Sequence, residues 1–189
     1  AHQLGISVFA TGGIGGVHRG AEFSFDVSQD LSALAEIPMV VVSAGAKAIL
    51  DLPKTIEMME TLGITVVGYQ TGEFPAFYSR ESGILGIHSV GSGHEVANIY
   101  KANISSGISS AVLVANPVPE KDEIPRQEIG SVIDRACKSA TELNIVGKNL
   151  TPYLLKEIEQ KTGGNSLKTN KLLALNNISL GINIVKEMA

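Results

Sequence analysis

The chain has 189 residues, 44% of them hydrophobic and 18% charged, and its 15 basic and 19 acidic side chains leave a formal net charge of −4. This is enough chain for one sizeable core, and a single cysteine excludes both an internal disulfide and a cysteine metal cluster. No run of lysines or arginines offers a field for a nucleic-acid backbone, and every apolar stretch is broken short of the roughly eighteen residues of a bilayer span.

The N-terminus AHQLGISVF lacks the basic region of a targeting peptide, so a soluble, cytoplasmic protein with neither nucleic-acid nor membrane partners is expected. Ile6–Ala10 reads as a strand opening directly into TGGIGGVHRG, Thr11–Gly20, where five glycines let backbone N–H groups approach an anion while His18 and Arg19 add donors. Residues 13–18 give G-x-G-x-x-H, which is neither the dinucleotide fingerprint nor a phosphate loop followed by Lys-Ser or Lys-Thr. The plainer reading of these glycines is a tight turn requiring positive φ.

A helix is expected over Gln29–Glu36, with Asp30 at its start as either a cap or a ligand for a hard cation; one carboxylate does not define a metal site. Met39–Ser43 reads as the next strand, and VVVSAGAKAIL carries Lys47 four residues beyond its end. No acidic residue stands within three positions of Lys47. In apolar surroundings the ammonium is disfavoured, and a neutral amine can attack a carbonyl; the bland alternative is a lysine that begins a helix and extends its head to water.

The pattern continues with a helix over Ala48–Leu62, a strand at Ile64–Gly68, a helix over His94–Ser105 and a strand at Ala111–Ala115. These strands are continuous apolar runs, as expected where helices cover both faces of a parallel sheet. NPVPEKDEIP then concentrates prolines and charges and reads as an exposed loop. Helices follow over Arg126–Leu143, Pro152–Lys161 and Leu167–Met188; Thr151 is the expected cap of the second, Gly163-Gly164 its stop, and Ser166 the cap of the third. On the last helix Asn170 and Asn177 share a stripe with Ala174 and Gly181, fit either for close packing or for amides that meet sugar hydroxyls. His88 and His94 read as structural or surface residues, and Cys137 as a small core residue. The fold class is α/β, one domain over residues 1–189, with a mostly parallel sheet and C-terminal helices.

Ligands of parallel α/β sheets bind beyond the carboxyl ends of the strands, so ATGGIGGVHRG, SAGAK, GYQTGEFPAF and ANPVPE should converge on one mouth. FATGGIGGVHRGAEFSFDVSQDL, VVSAGAKAILDLPKTIEMMETLGITVVGYQTGEFPAFYSRES, ANPVPE and GKNLTPYLLKEIEQKTGGNSLKTNKLLALNNISLGINI resemble the pseudouridine-5′-phosphate glycosidase family from about Gly5 to the end. The resemblance implies a three-layer α/β/α core, a homotrimer, manganese or another divalent cation, and reversible cleavage of pseudouridine 5′-phosphate to uracil and ribose 5-phosphate. It implies that Lys47 forms a Schiff base with C1′, that Asp30 holds the cation through water, and that Thr11, His18, Ser28, Asn170 and Asn177 contact substrate. Family members carry roughly another hundred residues before this block, so the resemblance also implies a missing N-terminal portion. Two other readings remain: an aldolase-like Schiff-base lyase on another sugar phosphate, and a sugar-phosphate-binding or subunit module without activity alone.

Overall fold

The computed structural model describes residues 1–188, Lys148 by its backbone alone. Five parallel strands form one sheet in the order β1-β2-β5-β3-β4: β1 (Val8–Ala10), β2 (Val40–Ser43), β3 (Thr65–Tyr69), β4 (His88–Val90) and β5 (Val112–Ala115). All of β2 and β5 is buried, as the unbroken apolar reading of these segments requires.

The β-carbons alternate between two cores. Val40, Val42, Val112 and Val114 face the layer of α4 (Gly93–Ser105) and the C-terminal half of α7 (Asn165–Met188), where Val96, Leu180 and Ile184 complete the cluster. Val41, Leu113 and Ala115 face the other layer, built from α2 (Gln29–Glu36), α3 (Leu52–Thr61), α5 (Arg126–Glu142) and α6 (Leu150–Lys161). Crossovers are right-handed, so the direction of travel along the sheet selects the face. The steps from β1 to β2 and from β2 to β3 run one way and put α2 and α3 together; the return from β4 to β5 puts α4 opposite. The result is the expected three-layer α/β/α architecture. Among the described residues no helix is long and apolar enough to cross a membrane.

The sequence reading missed β4, a three-residue edge strand whose His88 and Ser89 are exposed and give no apolar run, and the four-residue α1 (Ala21–Ser24). The helix expected from Ala48 begins only at Leu52, where Asp51 caps it by accepting the Lys54 N–H at 3.1 Å and Pro53 occupies the first turn. Asn149, not Thr151, stands at the N-cap of α6. Ser166 lies buried inside the first turn of α7, and Gly163 and Gly164 take the left-handed conformations expected of a stop. The ANPVPE loop is not exposed throughout: Asn116 and Val118 are buried, and Ile124 anchors its far end in the core.

Among the described residues one buried side-chain group has no protein partner. Ser43 is fully buried and its hydroxyl makes no hydrogen bond. A buried hydroxyl without a partner costs about 1–3 kcal/mol, so Ser43→Ala should leave stability unchanged or raise it by about 1 kcal/mol in urea unfolding.

Candidate active site

The loops that leave β1 and β2 stay paired beyond the strands. Thr11 N–H donates to the Val42 carbonyl at 3.0 Å, Ala44 N–H to Gly12 at 2.9 Å, Ile14 N–H to Gly45 at 3.1 Å, and Lys47 N–H to Ile14 at 3.0 Å. The other two loops join them: Phe77 N–H donates to the Ala44 carbonyl at 3.1 Å and Asn116 N–H to Ser43 at 2.8 Å. The four carboxyl-end loops therefore converge, as expected.

The glycines serve this convergence by their lack of a side chain. Gly12, Gly13, Gly15 and Gly16 all have ordinary φ, which corrects the tight-turn reading for these four, while Gly20 takes the positive φ that reading expects, at 79°. A β-carbon on Gly13 would lie 2.6 Å from the Phe77 ring, one on Gly16 2.5 Å from the Thr55 hydroxyl, and one on Gly15 against the Ser28 hydroxyl. Phe77 itself is held at a φ of 64°, an uncommon conformation for an aromatic residue, and its ring packs edge-on against Tyr78 at 4.7 Å. Burial pushes the Tyr78 hydroxyl up to about 12, so it stays neutral.

Lys47 is half-buried and outside any helix, in the turn that ends at Leu50. It lines a cavity of about 360 Å³ together with Thr11, Gly13 and Asp30, over an apolar floor that includes Phe9, Leu34, Met39 and Val41. That volume falls in the range of small-molecule pockets, and a few polar groups over an apolar wall is their usual composition. None of the ion pairs among the described residues includes Lys47. Its amine thus has no fixed counter-charge.

Asp30 does not cap α2. Ser28 does, its hydroxyl accepting the Asp30 N–H at 3.2 Å, while the Asp30 carboxylate reaches back to accept the Gly15 N–H at 2.7 Å through Oδ2. The loop amide that the sequence offered to an external anion is in this way matched to a carboxylate of the same chain. Oδ1 remains for a further partner. Among the described residues no three His, Cys, Asp or Glu side chains gather around a common cation position.

The other candidate residues divide. Ser28 backs Gly15 rather than lining the cavity. His18 lies in a neighbouring cavity of similar size with Arg19, Asp26 and Cys137, its Nδ1 3.9 Å from an Asp26 oxygen, so the structure does not bring it to Lys47. Burial raises the Cys137 thiol above its usual range, consistent with a packing residue. Asn170 and Asn177 approach from α7: the Asn170 side-chain oxygen sits against Gly12, and Asn177 is fully buried. Sequence reasoning passed over Asn116, Phe77 and Thr55, which hold this loop cluster. The only trace of Asn116 was its place just after a strand.

The fold and the cavity define a three-layer α/β/α protein with an unpaired lysine at the carboxyl ends of its strands. The chain belongs to the family described as indigoidine synthase A like protein, which matches residues 1–187. It is 50% identical over 188 residues to a pseudouridine-5′-phosphate glycosidase of Mesorhizobium japonicum, covering 100% of this chain and 62% of that protein. It is 51% identical to a pseudouridine-5′-phosphate glycosidase of Methylobacterium nodulans, covering 95% of this chain and 53% of the relative. The solved structure of an indigoidine synthase A-like protein from Thermotoga maritima superposes with a TM-score of 0.89 at 41% identity, covering 99% of this chain and 61% of that one. The prealnumycin C-glycosynthase AlnA, solved in complex with ribulose 5-phosphate, gives 0.90 at 34% identity, covering 100% and 61%. The chain spans less than two thirds of the length of these relatives.

The packing predicts opposite outcomes for two glycines. Gly15→Ala drives a methyl into Ser28 and Asp30 and should lower stability by about 1–3 kcal/mol. Gly130→Ala, inside α5 with open space around it, should raise stability by up to about 1 kcal/mol. Thermal unfolding of the two variants checks both signs.

Proposed function

We propose that this chain carries the lysine-bearing part of a pseudouridine-5′-phosphate glycosidase, acting reversibly on the carbon–carbon glycosidic bond. The observation that carries the reading is Lys47, without an ion-pair partner, opening on the same cavity as Thr11 and Asp30. The names of relatives about 50% identical support the reaction class, and AlnA's ribulose 5-phosphate complex supports an open-chain pentose phosphate as the occupant. Those names, a glycosidase and a C-glycosynthase, favour this reading over an aldolase-like lyase.

A carbon–carbon glycosidic bond has no oxygen or nitrogen leaving atom to protonate, so the two-carboxylate route of ordinary glycosidases does not serve. An amine solves this differently. The Lys47 amine, once deprotonated, attacks C1′, the C1′–O4′ bond breaks, and the nitrogen gives up a proton as the ring oxygen takes one up. The uracil carbon bonded to C1′ is then protonated, and the nitrogen lone pair forms C=N as the C1′–C bond electrons leave with the base. Water adds to the resulting imine to release ribose 5-phosphate and free the lysine. Hydrogen-bonding groups at the mouth, Thr11 among them, orient the opened sugar, and the apolar floor limits water around the amine.

If the divalent cation that the resemblance implies binds here, Asp30 is the residue that would hold it, through the carboxylate oxygen not engaged by Gly15 and with water as the remaining ligands. Such a cation would supply polarisation of the base's oxygens and of nearby water. Asn170, beside Gly12, belongs to the proposal as a substrate-side residue by resemblance, and Ser28 acts through Gly15; His18, which lines a different cavity, and Asn177, which is fully buried, have no such place in it. Assembly as a homotrimer and a cytoplasmic location are carried by the same resemblance.

Incubation with ribose 5-phosphate and borohydride should add one reduced pentose phosphate to Lys47, read by peptide mass, and none to Lys47→Arg. With pseudouridine 5′-phosphate and Mn²⁺, Lys47→Ala should release uracil slower by about three orders of magnitude or more. Equal release with alanine at 47 overturns the mechanism.

A further inference from the structure

We infer that Asn116 and Asn177 form a buried amide pair that positions the glycine-rich loop, and through it Lys47, so that Asn177 is a positioning residue and not a substrate contact. Asn177 is 0% exposed and Asn116 5% exposed, which leaves neither amide a path to a ligand. Both ends of the Asn177 amide are engaged. Its Oδ1 accepts from Asn116 Nδ2 at 2.9 Å, and its Nδ2 donates to the Thr11 carbonyl at 2.7 Å and the Gly12 carbonyl at 3.4 Å. An asparagine amide has two N–H donors and one carbonyl oxygen, so the bonds within the protein use both groups.

The carbonyls that Asn177 grips stand at the start of the ladder whose last rung holds the lysine. Gly12 also accepts the Ala44 N–H, two residues further on Ile14 pairs with Gly45, and the Ile14 carbonyl holds Lys47. Asn116 ties the same amide pair to β2 through its backbone bond to Ser43, and the neighbouring Asn176 donates to the Pro117 carbonyl at 3.2 Å. One pair of side chains thus fastens α7 to the ends of β1, β2 and β5, in a dry setting where each bond counts for more than in water. Asn170, half-buried beside Gly12, lacks such a set of partners.

The inference rests on geometry; only its second readout depends on the glycosidase reading. In Asn177→Leu, amide hydrogen exchange over residues 11–16 and 44–47 should accelerate by at least about tenfold relative to residues 112–115, the loss expected for buried bonds released locally. Asn116→Ala, which frees only the Asn177 oxygen, should accelerate the same segments by a smaller factor. Borohydride trapping of ribose 5-phosphate on Lys47 should slow by about tenfold in Asn177→Leu, with the half-saturating sugar concentration within about twofold of the parent. Acceleration spread evenly over the chain would reduce the pair to core filler, and unchanged exchange with a raised half-saturating concentration would make Asn177 a ligand contact; either overturns the inference. If Asn177→Leu does not fold, Asn116→Ala decides alone by whether its acceleration is confined to those two segments. A parent chain that traps no sugar at all sinks the glycosidase reading and leaves the exchange comparison intact.

Discussion

The backbone bond from the Lys47 N–H to the Ile14 carbonyl is the last rung of a ladder that continues past the sheet. Parallel strands normally separate at their carboxyl ends, where loops diverge toward their helices. Here β1 and β2 remain paired through Gly12, Ile14 and Gly45, so a lysine four residues beyond its strand is held nearly as firmly as a strand residue. The ladder is affordable only with glycine at its crowded points, because Phe77, Thr55 and Ser28 fill the space that β-carbons would occupy. At Gly12, Gly13, Gly15 and Gly16 close approach, not unusual φ, is what glycine provides, whereas Gly45 needs both, at a φ of 85°.

The electrostatics of the cavity follow from the same packing. Asp30 satisfies its charge in part on the Gly15 amide, which holds the carboxylate in the loop and away from ion pairing with Lys47. A carboxylate and an amine that share a cavity without neutralising each other leave both available, one for water or a cation and one for a carbonyl carbon. The apolar floor formed by α2 and β2 adds low-dielectric surroundings without a further charge.

Helix α7 contributes more than a layer. Its Leu173 belongs to the core on one face of the sheet while Leu180 and Ile184 belong to the core on the other, so the helix crosses the strand ends between them. Asn170 and Asn177 lie along that crossing, which is why residues more than 150 positions from the glycine-rich loop meet it. The relatives that this chain matches are longer than it, and the family match over residues 1–187 spans the stretch that holds the ladder, the lysine and this crossing helix.

By itself the sequence determined the layers and the lysine. Continuous valine runs bounded by glycines required doubly covered parallel strands, helical spacing located α2, α4, α5, α6 and α7 to within about two residues, and the isolation of Lys47 among small apolar residues marked it as unusual. These features are local, set by periodicity and by neighbours along the chain. Tertiary structure alone decided that β5 inserts between β2 and β3, that Asp30 binds Gly15 while Ser28 takes the cap, and that His18 faces a different cavity from Lys47. Strand order depends on crossover direction, and side-chain partners depend on which loops are brought within hydrogen-bond reach. Asn116 and Asn177 show the limit most plainly: an asparagine reads the same whether it awaits a sugar or closes on another amide, and only the fold determines which.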